Sequence, residues 1–568
     1  MRRPARRAGA RVAKRRPEPA RSRGARRSRE PTRSAARRVD ALSTPLGVAL
    51  LAALFALLAL ALYAPALGGP FVSDDLHYVA TNPYVHDPSP ANVAAILDPW
   101  SPASVMVVNY APVQMLVHAL EWQLFAEHTT GYHVVNVLLH ALGAALLVLV
   151  FARAGLAPAA AALGGLLFLV HPANVEAVAW VSQLKSPASF ALSMTALLAH
   201  PRRPALATAL FGLALLAKPT AAFALPVAAL LDWSRDGRVR IGWLCAWAAL
   251  LAAYGGVELW THQRSGAAEP VAEDLAVRLR SSVAIAARYL WMAATSLGVS
   301  AFHEPAPSRG WSDPLWLAGA LAVAALGARC AVALRRRSAE AAFWVWAAVS
   351  FLPVSQLFPF LYPMADRYLY FILPGLIGGA LFVLRDASAH RATEPARRRL
   401  ANAGLAVGLT LAVVFAARSA ARAEIWASPR ALIADSAAHY PEGRTAHLLK
   451  AVRAAQLADA DSAVAELRAA RDLGFNRYEQ LQSDPAFDGI RADPRFAALV
   501  REMAGWWVDR LSATADPTQI ELRTLAAAHL ARGERAAAIE ALERALARGG
   551  PLDARLRDEL AQLRAAPP

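Results

Sequence analysis

Residues 44–67 read TPLGVALLAALFALLALALYAPAL, and no charged side chain interrupts them. A helix of about 20 apolar residues is what the hydrocarbon core of a bilayer requires. The run is longer than the 7–15-residue apolar core typical of a secretory signal peptide, and no clear small-residue cleavage site follows it. We therefore interpret this stretch as a retained membrane anchor.

Ten further apolar runs follow the anchor, so the sequence predicts a polytopic all-α membrane bundle of about 11 spans. They lie near 132–151, 156–171, 187–200, 204–217, 219–231, 241–260, 312–334, 341–358, 368–384 and 401–418. The composition agrees: 56% of the 568 residues are apolar, 18% are charged and the mean hydropathy is +0.31. An ordinary soluble chain is less apolar than this.

Positive charge is concentrated at the N-terminus. Residues 1–40 hold 16 Lys and Arg against 3 Asp and Glu, a net charge of +13, whereas the whole chain carries +17. The body is therefore nearly neutral, which excludes a basic nucleic-acid-binding body. We interpret 1–40 as a disordered cytoplasmic arm, because its Arg, Pro and Ser content cannot form a core.

The placement of Lys and Arg predicts the orientation, because short cytoplasmic loops retain positive charge. The arm and the basic loops near Arg202, Arg235, Arg335 and Arg385 should lie inside. This orientation requires that the segment 272–300 does not cross the membrane. The segment mixes arginines with apolar residues, so we interpret it as an interfacial amphipathic helix. The C-terminus is then on the external side. We expect the protein to lie in a bacterial inner membrane. The outer loops are 68–131, 172–186, Lys218–Pro219, 261–311 and 359–367.

Residues 419–568 change to an amphipathic, Ala-rich pattern, so we divide the chain into the arm, a membrane domain over 41–418 and a helical domain over 419–568. The stretch Leu525–Pro551 has the spacing of a tetratricopeptide repeat, and a degenerate copy lies at 445–474. The sequence thus predicts a C-terminal TPR-like α-solenoid that binds a protein partner. The alternative is a small helical cap that stabilises the membrane domain.

The first outer loop contains Asp74 and Asp75 just after the anchor, followed by His77. Carboxylates at a membrane interface are partly desolvated, which suits a general base, and a pair of them also suits a divalent cation. The alternative is a solvated turn with an Asx cap. The pair therefore leaves a general base, a site for a divalent cation and a solvated turn as alternatives.

The second outer loop brings four candidate residues together: His171, Glu176, Trp180 and Lys185. An acid, an aromatic ring and a base in one loop are typical of a sugar site. Trp180 also fits the aromatic belt at headgroup depth.

Three further cations are candidates for binding a lipid phosphate. Lys218 lies between two apolar runs, where a lysine either snorkels or meets an anion. Arg367 stands at the outer edge of a span, where a guanidinium clamps a phosphate or pairs with Asp366. Arg288 is a weaker candidate on the interfacial segment.

Other chemistries are excluded by what the sequence lacks. The two cysteines, Cys245 and Cys330, rule out a disulfide scaffold and a cysteine-based zinc site. No Gly-rich dinucleotide fingerprint, P-loop, zincin motif or nucleophile elbow occurs, so soluble nucleotide-dependent chemistry is not expected.

Five motifs occur in an order that identifies a family resemblance. They are FVSDDLHYVATNPYV (71–85), GYHVVNVLLHAL (131–142), HPANVEAVAWVSQLKS (171–186), LAKPTAAFALPVAALLDW (216–233) and MADRYLY (364–370). This series resembles the transmembrane and tetratricopeptide repeat-containing protein O-mannosyltransferases and their bacterial relatives, in the GT-C superfamily of polyprenyl-phosphate-sugar-dependent enzymes. The resemblance covers about residues 44–430.

The resemblance implies a GT-C-like fold and an inverting transfer of a monosaccharide, such as mannose, from a polyprenyl-phosphate donor. The acceptor is a hydroxyl of an exported protein or an envelope glycan. It further implies that Asp74 or Asp75 deprotonates the acceptor, and that Glu176, Lys218 and Arg367 lie near the donor. The chain departs from the family at Ala111, where relatives usually carry Arg between Tyr and Pro.

Two other functions compete with the transferase. Ala111 and the weak repeats favour a membrane-anchored helical scaffold without activity. A transporter would place ionisable residues near the bilayer midplane, whereas the candidate groups here lie at the ends of spans.

Overall fold

The structure is a computed structural model that describes residues 44–107, 109–265, 274–357, 362–389 and 393–565. The arm predicted over 1–40 lies outside these residues. Every regular element in the described ranges is helical and none is a strand, which confirms the all-α class.

The helices of the apolar part carry the labels α1 to α17. Their bounds are α1 Pro45–Tyr63, α2 Pro83–His86, α3 Pro90–Leu97, α4 Ala103–Met106, α5 Pro112–Phe125, α6 Thr129–Arg153, α7 Pro158–Leu169, α8 Val175–Ala179, α9 Lys185–Ala199, α10 Pro204–Ala217, α11 Ala224–Asp236, α12 Ile241–Ser265, α13 Leu275–Thr295, α14 Pro314–Arg335, α15 Glu340–Phe351, α16 Asp366–Ala389 and α17 Glu394–Ile425. Short 3-10 turns join several of them, including Pro172–Asn174, Val181–Leu184 and Pro219–Phe223.

The C-terminal part continues with α18 to α25. These are α18 Pro429–His439, α19 Arg444–Gln456, α20 Ala460–Asp472, α21 Tyr478–Ser483, α22 Pro494–Ser512, α23 Gln519–Arg532, α24 Arg535–Arg548 and α25 Asp553–Ala565.

Six helices in the described ranges are long and apolar enough to cross a membrane: α1, α6, α12, α14, α16 and α17. A seventh span results if α7 and the following Pro172–Ala179 segment, which are bent by 52° relative to each other, form one broken span. The prediction of a membrane protein is therefore supported by length and apolar composition.

The predicted count of about 11 spans is larger than the six or seven that the described helices allow. The difference arises because four predicted spans fall on the short helices α9, α10, α11 and α15. At 1.5 Å per residue, their 12–15 residues reach about 18–23 Å, less than the roughly 30 Å of the hydrocarbon core. Pro219 interrupts one such run: Lys218 before it is extended, with φ −160°, as the residue preceding a proline prefers. The count of 11 stays a prediction.

The predicted boundary at 418/419 falls inside α17, and the boundary itself stays a prediction. Trp426 and Leu432 still belong to the large core of the apolar part, whereas separate tail cores begin at Leu448. The first tail helices dock on the loop before α14: Tyr440 bonds His303, and Thr445 bonds Glu304.

The tail consists of packed helix pairs, of which α23 and α24 occupy the stretch with repeat-like spacing. Leu525, Ala538, Leu542 and Ala545 are buried together in one core. Gly533, with φ +82°, ends α23 in a left-handed conformation that glycine adopts without strain. The helical character is confirmed, and the assignment to the tetratricopeptide class stays a prediction.

Small residues allow close approach of helices in the apolar part. A Cβ placed on Gly375 of α16 would lie 2.6 Å from the amide nitrogen of Ala347 and from the carbonyl oxygen of Phe343, both in α15. These obstacles are backbone atoms, which cannot move without separating the two helices.

We expect Gly375→Ala to lower the free energy of unfolding by about 1–3 kcal/mol, because the added methyl group overpacks a helix interface. Gly404→Ala in α17 is the control: nothing lies within 4 Å of its Cβ position, and Ala favours a helix by about 1 kcal/mol over Gly. Thermal unfolding in detergent measures both. Equal melting temperatures for the two variants would contradict the close approach.

Candidate functional site

The turn Val72–Asp75 fixes the two adjacent aspartates in different environments. The Asp75 amide donates to the Val72 carbonyl at 3.0 Å, and Asp75 Oδ2 accepts the Val72 amide at 3.0 Å. Ser73 has φ +52°, in the left-handed region. This closed turn directs the side chain of Asp75 into the protein.

Asp75 ties the first outer loop to the second. Its side chain is fully buried, and Oδ1 accepts the amide of Ser182 at 2.7 Å. Burial raises the pKa of Asp75 to about 7, although the amide groups of Val72 and Ser182 lower it. Asp74, by contrast, is half-buried, and its carboxylate accepts only a long 3.4 Å bond from Ser73 in the described structure. Asp74 is thus the less buried and less firmly hydrogen-bonded carboxylate of the pair.

Lys185 begins α9 next to this turn. Its Nζ donates to Asn109 Oδ1 at 3.3 Å and lies 5.0 Å from the ring centroid of Tyr78, one turn after Asp74. Burial lowers the pKa of Lys185 to about 8, while the charge of Asp74 acts in the opposite direction.

Lys218 lies at the break between α10 and α11 and turns inward. Its Nζ donates to Ser186 Oγ at 2.7 Å, next to Lys185, and lies 5.5 Å from the Phe371 ring. Burial and the charge of Lys185 lower the pKa of Lys218 well below its usual range. Within the described part of the chain, no carboxylate lies within 4 Å of either ammonium group.

Arg367 is bound by an internal acid. One oxygen of Glu176 accepts from the guanidinium, and the other accepts the Arg367 backbone amide at 2.6 Å. The guanidinium also lies 5.3 Å from the ring of Trp180 and 4.8 Å from that of Tyr362. Glu176 therefore neutralises Arg367, and Asp366 is not its partner.

We define the basic site as Asp74, Lys185, Lys218 and the Arg367–Glu176 pair. The two lysines are joined through Ser186, and Phe371, near Lys218, lies one helical turn after Arg367. The structure thus brings together residues from four separate sequence motifs.

Trp180 and His171 are buried beside this site. Trp180 is 2% exposed; it donates to the Val72 carbonyl at 3.2 Å and stacks on Trp426. A belt tryptophan would face lipid, so the structure favours an internal role. His171 accepts the amide of Ala173 through Nδ1 and contacts the Ala293 carbonyl through Nε2, so it shapes the turn before α8.

Of two other candidates, Arg288 has no contact with the basic site among those the described residues show, and His77 follows Asp74 with its side chain exposed. Arg288 lines a small cavity of about 20 Å³ together with Asp313. His77 is exposed, where partial loss of hydration and the nearby charge of Arg477 in the tail lower its pKa. The tail therefore lies close to the first outer loop.

Sequence reasoning missed Glu258, a carboxylate within the otherwise apolar α12. Its Oε2 accepts the amide of Tyr110 at 3.0 Å, and Tyr254 donates its hydroxyl to the Tyr110 carbonyl at 2.9 Å. Together they fix the backbone just before Ala111, which is buried. A lone acid in an apolar run was the available signal.

The cation considered for the aspartate pair has limited support. No group of three or more His, Cys, Asp or Glu side chains among the described residues is arranged to hold a metal ion. Both oxygens of Asp75 already accept backbone amides. The cation stays a prediction.

We expect Asp75→Asn to destabilise the protein by about 1–3 kcal/mol, since its amide group would face one of two buried N–H donors. Because the folded pKa of about 7 exceeds the unfolded value near 4, the wild type should lose stability as pH rises from 4 to 7. The variant lacks this titration. Its deficit in melting temperature should therefore be larger at pH 5 than at pH 8, and a deficit that grows with pH would contradict the assignment.

Curated protein O-mannosyl-transferases are similar to part of this chain. One from Caenorhabditis elegans is 31% identical over 148 residues, 24% of this chain and 21% of the relative. Protein O-mannosyl-transferase TMTC4 of Homo sapiens is 31% identical over 140 residues, 22% of this chain and 19% of the relative.

The chain matches about a fifth of the length of these curated relatives. No family model matches the chain, and no solved structure matches it significantly. Over the matched segment, the resemblance to protein O-mannosyl-transferases that the ordered motifs indicate is confirmed.

Proposed function

We propose that this protein is a membrane glycosyltransferase. It moves a monosaccharide, such as mannose, from a polyprenyl-phosphate donor to a hydroxyl of an exported protein or an envelope glycan. The observation that carries the proposal is the half-buried Asp74 beside two half-buried lysines, which have no carboxylate partner among the described residues. The partial similarity to protein O-mannosyl-transferases supports it.

Asp74 acts as the general base. The acceptor oxygen forms a bond to the anomeric carbon of the sugar while its proton passes to the Asp74 carboxylate. The bond between that carbon and the donor phosphate oxygen breaks, with inversion at the anomeric carbon. A positioned carboxylate typically contributes about 10²–10⁴-fold to such a step.

Lys185 and Lys218 bind the donor phosphate. As the sugar leaves, the polyprenyl phosphate gains one negative charge, and fixed positive groups stabilise it most where water is excluded. Among the described residues, the partners of the two ammonium groups within hydrogen-bonding distance are neutral, namely Asn109 and Ser186. Buried cations without a counter-ion are favoured by an anionic ligand.

The Arg367–Glu176 pair positions the site. With its charge neutralised and both oxygens of Glu176 engaged, it holds the start of α16 against α8 and the Trp180 loop. The acceptor approaches from the side of His77, where the tail lies close to the first outer loop.

Asp74→Asn should lower transfer by about 10²–10⁴-fold, because it removes the base and keeps the size of the side chain. Its stability should stay close to that of the wild type, since in the described part of the chain the Asp74 carboxylate accepts only the long bond from Ser73. Transfer from a polyprenyl-phosphate sugar is measured with purified, reconstituted protein. Asp98→Asn is the control, because Asp98 is an exposed aspartate that caps a turn in the same loop.

If Asp74→Asn transfers the sugar at the rate of the wild type, Asp74 is not the base. No transfer by the wild type itself, with donor and acceptor extracts supplied, would favour the inactive scaffold.

Donor binding should weaken as pH rises through about 8, because Lys185 then loses its proton and the phosphate binds the ammonium form. Lys185→Arg keeps the charge at all these pH values, so binding should fall less steeply between pH 7 and 9. Calorimetric titration with the donor measures this, with Lys450→Arg in the tail as control. An identical pH profile for Lys185→Arg and wild type would show that Lys185 does not contact the phosphate.

A further inference from the structure

A second basic feature lies at the other end of the bundle. α16 carries Arg367 in its first turn and Arg385 near its end, 18 residues and about 27 Å further along the helix. There, a cavity of about 290 Å³ is lined by three arginines from three helices: Arg153, Arg235 and Arg385. We call it the arginine cleft.

Two of the three arginines of the cleft are not balanced by protein acids. Arg153 donates to the Leu198 carbonyl at 2.7 Å, and Arg235 contacts the Arg153 carbonyl at 3.5 Å. In the described residues, neither has a carboxylate within 4 Å. Arg385 pairs with Asp386, which Arg329 also binds.

Arginines in the last turn of a helix also offset the negative end of its dipole, which is a simpler reason for Arg153 and Arg235. The helix dipole does not explain why these arginines line a common cavity. Ser338 and Ala339, which immediately precede α15, line the same cavity, so the positive end of that helix faces it as well. Cationic side chains and a helix N-terminus together form a phosphate-binding environment.

The cleft also lies at the ends of apolar helices, which is where lipid headgroups are found when such helices span a bilayer. Arg153 is the last residue of α6, and Arg385 is four residues from the end of α16; both helices are long enough to span the bilayer. Apolar Leu231 and Phe382 line the cavity beside the arginines, and the Arg385 guanidinium lies 4.4 Å from the Phe382 ring. A ligand with a phosphate and an adjoining apolar part fits this combination.

We propose that the arginine cleft binds the phosphate of an anionic membrane lipid, on the opposite side of the bundle from the basic site. The arginine guanidinium groups and the Ser234 hydroxyl hold the phosphate, and Leu231 and Phe382 contact the beginning of the acyl chains. This site does not depend on the proposed transfer, because a scaffold would carry it equally.

The test measures lipid retention by native mass spectrometry of the purified full chain. The protein in detergent is titrated with phosphatidylglycerol, with phosphatidylcholine or with inorganic phosphate. We expect preferential binding of phosphatidylglycerol. Arg153→Gln/Arg235→Gln should weaken it on the order of 25-fold, since each basic side chain near a membrane contributes about fivefold.

Arg238→Gln/Arg336→Gln is the matched control, because both arginines are exposed, lie in neighbouring loops and do not line the cavity. It should bind phosphatidylglycerol within twofold of the wild type. If the cleft double variant fails to fold, Arg385→Gln tests the same cavity. Equal binding of the two lipids by the wild type, or unchanged binding by the cleft variants, would overturn the proposal. If the protein binds inorganic phosphate tightly and binds phosphatidylglycerol no more tightly than that, the assignment of a lipid ligand would be overturned.

Discussion

The buried ion pair between Arg367 and Glu176 is the interaction on which the outer end of the membrane bundle depends. Glu176 accepts both from the guanidinium and from the backbone amide of Arg367, so it fixes the helix start as well as the charge. Removing one partner of such a pair leaves an uncompensated buried charge and typically costs about 3–5 kcal/mol. The pair also leaves the positive charge of the site to Lys185 and Lys218.

The residue before Arg367 connects the bundle to the tail. Asp366 accepts a hydrogen bond from the Ser300 amide at 3.1 Å and contacts His303 Nε2 at 2.6 Å. His303 in turn bonds Tyr440 of the tail. Adjacent residues of one helix thus serve two purposes: one closes the inside of the bundle, and the other fixes the loop on which the tail rests. The tail is therefore held over the outer loops by polar contacts with defined geometry.

Acidic and basic side chains of the bundle differ in how often they have a partner within the protein. Most acids of the bundle have a basic or backbone partner, such as Asp75 with two amides and Glu340 with Arg329. Within the described residues, the cations without a carboxylate inside 4 Å include Lys185 and Lys218 of the basic site and Arg153 and Arg235 of the arginine cleft. Lys185 and Lys218 are half-buried, and a partly buried cation without a counter-ion costs free energy in the absence of an anion, whereas the three arginines of the cleft are exposed. We propose a phosphate group as the ligand at both places, one on each side of the bundle.

The sequence by itself determined the helical class, the apolar helices and the motifs that contain Asp74, Lys185, Lys218 and Arg367, because hydrophobic runs and charge placement are local properties. It did not distinguish Asp74 from Asp75, since adjacent aspartates are equivalent until a turn directs one inward to the Ser182 amide. Nor did the sequence show that Glu176 neutralises Arg367 while Lys185 and Lys218 lack a carboxylate partner among the described residues. It also did not indicate the role of Glu258 or the existence of the arginine cleft. Those properties belong to groups far apart in the chain, and only packing of the helices decides which charges meet a partner.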